Sequence, residues 1–320
     1  MVTDPRAEPG ATSAKRTSYM SESLLASLRA GRRVYGTMVV SGSPFWPPLL
    51  KRTGIDFVFI DTEHIALDRE TVSWMCRAYA ALGLTPIVRT PTLCAVEAGK
   101  MLDAGARGVC APYIETAEQV RTLVGAVKYG PLKGARRAAI LAGRDAMEPA
   151  LAAYVEERNG ENLCVVNIES VPAMENLDEI LRVPGLDVVL VGPHDLSCSL
   201  GLPEEYGHPR FEAAVREIIA KSRAAGVAAG VHMVYGDMAQ EAAWARHGAN
   251  FMLHSGDAFL VEQQLRREVS QLRRELGDAT QLVAQIAVMR SSTFPVASPI
   301  VAFCIFGDSR RKGCQGKGFA

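Results

Sequence analysis

The 320-residue chain has no excess charge of either sign, since 35 Lys and Arg balance 35 Asp and Glu. Without a global field it has no broad attraction for nucleic acid or an anionic membrane, and neither is expected as a partner. It also lacks any Cys-x-x-Cys pair. Its seven cysteines are scattered, an odd and unpatterned set that argues against a disulfide framework and for a reducing, cytoplasmic setting. Cys110 and Cys164 sit inside strand-like runs, where a thiol reads as a small apolar filler. No Gly-x-Gly-x-x-Gly follows an apolar run, which weakens any dinucleotide-binding reading. No apolar run is long enough for a membrane span. Residues 1–20 are polar, lack the apolar centre of a signal peptide and read as a disordered leader. The apolar stretch Phe294–Phe306 is short and carries Pro295 and Pro299, so the segment 281–320 reads as a tail of undefined structure.

Between those ends, residues 21–280 alternate regularly. Strand-like runs occur at 33–40, 56–61, 85–90, 108–113, 163–169, 186–192, 228–234 and 250–256. Most are continuously apolar, as in parallel strands covered on both faces by helices. Helical patterns lie between them. Val72, Met75, Cys76 and Tyr79 form an i, i+3, i+4, i+7 stripe behind Asp68 as N-cap, and Thr116 with Gln119 reads as a capping box. A last helix over 258–276 aligns Val261, Leu265, Val269, Leu272 and Leu276. Eight β–α units in about 240 residues predict an α/β fold, a (β/α)8 barrel. A doubly wound open sheet is the alternative.

In such a barrel the carboxyl ends of the strands converge on one rim. Strand two ends in Asp61, Glu63 and His64, strand three in Arg89, strand five in Glu169, and strand six runs into His194 and Asp195. Strands one, four and seven offer little there. Each residue alone has a structural reading: a cap, a loop brace, an ion pair, a satisfied histidine. Their coincidence on one rim is what points to chemistry. Glu169 and Asp195 offer two hard oxygen ligands, suited to Mg²⁺ or Mn²⁺, with Co²⁺ a further candidate. A site held by two carboxylates keeps positions open for a chelating 2-oxo acid, whose keto group the cation polarises. Arg89 supplies a fixed cation where enolate charge develops, and His64 titrates in the range needed to move a proton. Asp61 is expected to orient the site by hydrogen bonding, and Glu63 to brace the loop or a subunit contact. Asp103 closes a helix just before Gly105, where the helix dipole disfavours a carboxylate, so it should have a cationic or donor partner, Lys100 or an imidazolium.

Five segments carry a family resemblance: "GIDFVFIDTEH", "PIVRT", "MLDAGARGVCAPYIETAEQVR", "VVNIES" with "NLDEI", and "GLDVVLVGPHDLSCSLG". Over about Gly36 to Leu276 the chain resembles the HpcH/HpaI aldolases, metal-dependent class II pyruvate aldolases. The resemblance implies metal ligation by Glu169 and Asp195, catalysis by His64 and Arg89, and an Asp103 that raises the basicity of that histidine. It implies that the backbone N–H of His194 helps hold a substrate carboxylate and that Asn167, where the family commonly has the longer Gln, contacts substrate. It further implies a barrel whose last helix swaps onto a neighbour, usually in homohexamers built as trimers of dimers. His194 is bulkier than the family's usual residue, and "YGPLKGARR" replaces the usual loop with Arg137 in place of Gly, which puts acceptor specificity in question. The expected reaction is reversible retro-aldol cleavage of a 4-hydroxy-2-oxo acid to pyruvate and an aldehyde. The alternatives are decarboxylation of oxaloacetate with carbon–carbon bond formation, as in macrophomate synthase, and a non-catalytic oxo-acid-binding barrel.

Overall fold

The computed structural model describes residues 23–234 and 237–278; the leader 1–20 and the tail 281–320 lie outside them. Eight parallel strands close into a barrel in sequence order: β1 (Val34–Val39), β2 (Phe57–Asp61), β3 (Thr85–Arg89), β4 (Gly108–Ala111), β5 (Leu163–Ile168), β6 (Val188–Val191), β7 (Ala228–Met233) and β8 (Phe251–Gly256). β8 pairs back onto β1, so no edge remains and the open-sheet alternative is excluded. The fold is a (β/α)8 barrel.

The continuous apolar runs are explained by two separate cores. Outward-facing side chains such as Val58, Ile60, Val88, Val109, Val166 and Val189 pack against the surrounding helices. Inward-facing residues, among them Phe57, Phe59, Ile87, Cys110, Val165, Leu190, Phe251 and Leu253, fill the barrel. Phe57 and Phe251 stack there with centroids 4.3 Å apart. Gly36 makes this possible, because a β-carbon at that position would lie 2.4 Å from the Phe57 ring. Leu24, Leu25 and Leu28 of the short helix Leu24–Arg29 join the same inner cluster at the amino-terminal end of the strands.

The helix signals were accurate at their starts. Asp68 accepts from Thr71 N–H at 2.7 Å ahead of helix Arg69–Ala81. Thr116 and Gln119 form the reciprocal capping box of helix Ala117–Lys128. Between β4 and β5, however, two further helices follow, Gly134–Leu141 and Pro149–Asn159. No helix of the described residues is long and apolar enough to cross a membrane.

Candidate active site

The carboxyl end of β2 and the carboxyl end of β3 are locked together by charge. Asp61 and Arg89 are paired in register, and both are buried, with side chains 2% and 9% exposed. Arg89 Nε donates to Asp61 Oδ1 at 2.9 Å and Nη2 to Oδ2 at 2.8 Å, a bidentate fork. Burial pushes the Asp61 carboxyl up, but the Arg89 charge and hydrogen bonds outweigh it and hold Asp61 below the usual range. Asp61 Oδ1 also accepts Glu63 N–H at 3.0 Å, which shapes the turn after β2. Asp61 thus orients Arg89.

Glu63 takes more of the site than a loop brace would. Its side chain is 7% exposed, and its Oε2 lies 3.0 Å from Arg89 Nη1 and 3.7 Å from His64 Nε2 without an aligned hydrogen bond. The Tyr113 hydroxyl donates to the same carboxylate. Burial raises the Glu63 carboxyl, with Arg89 opposing. His64 is one-third exposed at the mouth. Burial and then the Arg89 charge lower its pKa, against the pull of Asp61, Asp195 and Glu169. The imidazole is therefore neutral at pH 7 and able to accept a proton.

Across the barrel, Glu169 follows β5 and is 5% exposed. Tyr113 N–H donates to its Oε1 at 2.7 Å and Asn167 Nδ2 to its Oε2 at 3.0 Å. Burial raises this carboxyl, the two donors oppose that, and the Asp195 charge adds to the rise. Asp195 stands in the first turn of helix Pro193–Ser199. Its charge reaches Glu169, Glu63, His64 and Tyr113, which places all of them around one mouth. Gly192 gives the Glu169 carboxylate its place: a β-carbon there would meet Oε2 at 2.3 Å. Among the described residues, no group of three or more His, Cys, Asp or Glu converges as a complete metal cage. The donor set is instead two all-oxygen side chains carrying negative charge, with no Lys or Arg of the described residues paired to either. Such a set fits a hard divalent cation that keeps coordination positions for water and substrate.

Two sequence expectations look different in the fold. Asn167 is 1% exposed and sits beneath the site, its amide engaged by Cys110 and Glu169. Asp103 lies near the end of helix Ala95–Ala104 with its side chain 75% exposed, and its partner is Arg158 Nη2 at 3.4 Å. Lys100 pairs with Glu97 instead. The groups whose charges act on His64 are Arg89, Asp61, Asp195 and Glu169, so within one chain Asp103 is not brought to the histidine. His194 is 27% exposed at the rim, with Nδ1 3.8 Å from Glu204 Oε1. Strand four contributes more than its side-chain letters suggest. Tyr113, just past β4 at φ 57°, reaches one carboxylate through its backbone and another through its phenol. A backbone donor leaves no mark in a residue pattern, and the positive φ at a tyrosine is visible only in three dimensions.

Proton transfer beside a developing negative charge is the chemistry this rim is equipped for, and it places the molecule among the barrel enzymes. Residues 47–263 match the HpcH/HpaI aldolase/citrate lyase family, and the chain belongs to that family. It is 34% identical over 259 residues to the 2-keto-3-deoxy-L-rhamnonate aldolase of Klebsiella pneumoniae, covering 81% of this chain and 96% of the relative. The solved HpcH/HpaI aldolase of Desulfitobacterium hafniense shares 28% identity and a TM-score of 0.69, over 78% of this chain and 96% of that one. Macrophomate synthase, at 23% identity and a TM-score of 0.66 over 80% and 91%, shares the fold. The chain is thus a carbon–carbon lyase of the aldolase type rather than a non-catalytic barrel.

Proposed function

We propose that the protein cleaves a 4-hydroxy-2-oxo acid reversibly to pyruvate and an aldehyde, with Glu169 and Asp195 holding Mg²⁺ or Mn²⁺. The names of its relatives support a 2-keto-3-deoxy sugar acid as the substrate class. The observation that carries the reading is the buried Glu169 carboxylate, aligned by two N–H donors and facing Asp195 across the rim from Arg89. The cation, when bound, supplies Lewis acidity at the keto oxygen.

The residues of the chain do the rest. His64, neutral at pH 7, accepts the proton of the C4 hydroxyl, through a water. The C3–C4 bond then breaks, its electron pair passes into the pyruvate enolate, the aldehyde departs, and the proton taken up returns through the water to C3 of the enolate to give pyruvate. Arg89, held by Asp61 and Glu63, still has N–H groups free for the enolate oxygen, where charge develops. Its position is set before substrate arrives, so little reorganisation is needed during reaction. The His194 backbone N–H is the chain's donor for the substrate carboxylate, while Asn167 lies beneath and holds Glu169. His194 and Glu204 border the acceptor side.

A homo-oligomer completes the proposal, a hexamer built as a trimer of dimers. Helix Asp257–Leu276 exposes Val261, Leu265, Val269, Leu272 and Leu276 along one side, between 40% and 73% each. That stripe is suited to a neighbouring copy, onto which the helix swaps.

A retro-aldol screen over 4-hydroxy-2-oxo acids, with pyruvate detected by a coupled assay, tests the activity. Glu169→Ala and Asp195→Ala are each expected to lower kcat/KM by about 10³ or more, and EDTA to abolish activity until Mg²⁺ or Mn²⁺ is restored. Full activity in metal-stripped protein overturns the reading. Release of CO₂ from oxaloacetate, in place of retro-aldol cleavage, favours the macrophomate-synthase-like reaction.

A further inference from the structure

Cys110 is inward-facing, fully buried and not part of the chemistry described above. A buried cysteine in a strand is ordinarily filler, but this one has a directed contact. Its Sγ lies 3.0 Å from Asn167 Oδ1, and Asn167 Nδ2 lies 3.0 Å from Glu169 Oε2. We propose that the Cys110–Asn167 pair is the positioning device that holds Glu169 in its ligating rotamer. This rests on the assignment of Glu169 to the cation.

An ionised carboxylate only accepts hydrogen bonds, so Asn167 must turn its NH₂ toward Glu169 and its oxygen toward β4. The thiol is the donor waiting at that oxygen. It has no alternative role as an anion, because burial raises it well above the ordinary thiol range against the opposing Arg89 charge, and the Glu169, Glu63 and Asp61 charges add to the rise. With the S–H in place, the amide has one orientation in which all three groups are satisfied. Without it, Asn167 Oδ1 is a buried acceptor with no donor, and the orientation of the amide that serves Glu169 loses its advantage over rotamers that do not.

The pairing also accounts for the short side chain. Gln at position 167 would carry its amide one methylene further toward substrate space. Asn keeps the amide down in the barrel wall, within reach of β4, and Cys110 is the β4 residue that meets it. Tyr113 N–H fixes the other carboxylate oxygen from the loop after the same strand. β4 therefore aims the Glu169 carboxylate at both ends, once directly and once through Asn167.

Mn²⁺ affinity of the intact protein without substrate, measured by electron paramagnetic resonance and calorimetry, tests the proposal separately from turnover. Removing an outer partner of a metal ligand costs about 10- to 100-fold in affinity. Cys110→Ala and the volume-keeping Cys110→Val should therefore bind Mn²⁺ at least about tenfold more weakly. Cys110→Ser, which keeps a donor, should stay within about threefold of the parent. Cys164→Ala, at a buried cysteine on the helix-facing side of β5, controls for packing loss and should leave Mn²⁺ affinity unchanged. Parental affinity in Cys110→Val, or a Cys110→Ser no tighter than Cys110→Val, overturns the positioning role while leaving the metal site standing. Should the parent protein itself bind no Mn²⁺ sensitive to Asp195→Asn, both the metal assignment and this inference fail.

Discussion

Arg89 is gripped from two sides, by the Asp61 fork and by Glu63, and is 7% exposed. Removing a partner from such a buried pair leaves an uncompensated charge, at a cost of about 3–5 kcal/mol. Asp61→Ala should show that loss in urea unfolding and should lower kcat at the same time, because Arg89 is freed from its orientation. Glu63→Gln keeps the shape, the phenol contact and one acceptor, so it should unfold near the parent midpoint while kcat falls. Equal stability losses in the two variants would show that Glu63 anchors the guanidinium as much as the Asp61 fork does. Much of this residue-scale picture was legible beforehand. Asp61, Arg89, Glu169 and Asp195 stand out because charge at the end of an apolar strand needs a reason. Cys110 did not stand out, since a thiol in a strand reads as filler until its neighbour is known. The role of Glu63 is hidden in the sequence because its partners, Arg89 and Tyr113, come from β3 and from the loop after β4, far away along the chain.

Elements were readable to the extent that their pattern is local. Every strand falls within the run that marks it, because a parallel strand covered on both faces must be apolar throughout. The helices Gly134–Leu141 and Pro149–Asn159 lie outside the marked pattern because they bury little: the first has no fully buried residue and only Leu141 packed against the core, and the second buries only Val155 and Asn159. β7 shows what a run of letters can hide. His232 of that strand points into the barrel, 6.0 Å from the Phe59 ring, with Nε2 donating to Ser255 O. Burial, helped by Arg89, lowers its pKa to about 4. An unfolded chain binds a proton at His232 near pH 6.5 and the folded chain does not, so stability rises with pH across this interval. It is lost as pH falls from 6.5 toward 4, by about 3 kcal/mol in all for this one group. His232→Gln should flatten the stability–pH slope in that window by up to about 1.4 kcal/mol per pH unit. An unchanged slope in denaturation series at pH 7, 5.5 and 4.5 would mean that His232 is protonated in the folded barrel.

At the scale of the whole molecule, two features of a single chain are incomplete on their own. One is the apolar stripe of helix Asp257–Leu276, exposed from Val261 to Leu276. The other is Asp103, which the family resemblance assigns to the support of His64 but which projects from helix Ala95–Ala104 toward Arg158. A contact between copies would resolve both at once: the stripe would be covered, and the Asp103 of one copy would reach the one-third-exposed His64 of another. Two lysines placed on the stripe, as Leu265→Lys with Leu272→Lys, should shift sedimentation toward smaller species and depress activity in the same samples. The sharper measurement mixes two weak enzymes. His64→Ala and Asp103→Ala homomers are each expected to be poorly active. If the two residues meet only across copies, dissociation and random reassociation of a 1:1 mixture restores an intact pair at about one site in four. Activity should then rise toward a quarter of the parental value, far above the sum of the separate proteins. If Asp103 served the histidine of its own chain, every chain in the mixture would still carry one defect, and mixing would restore nothing.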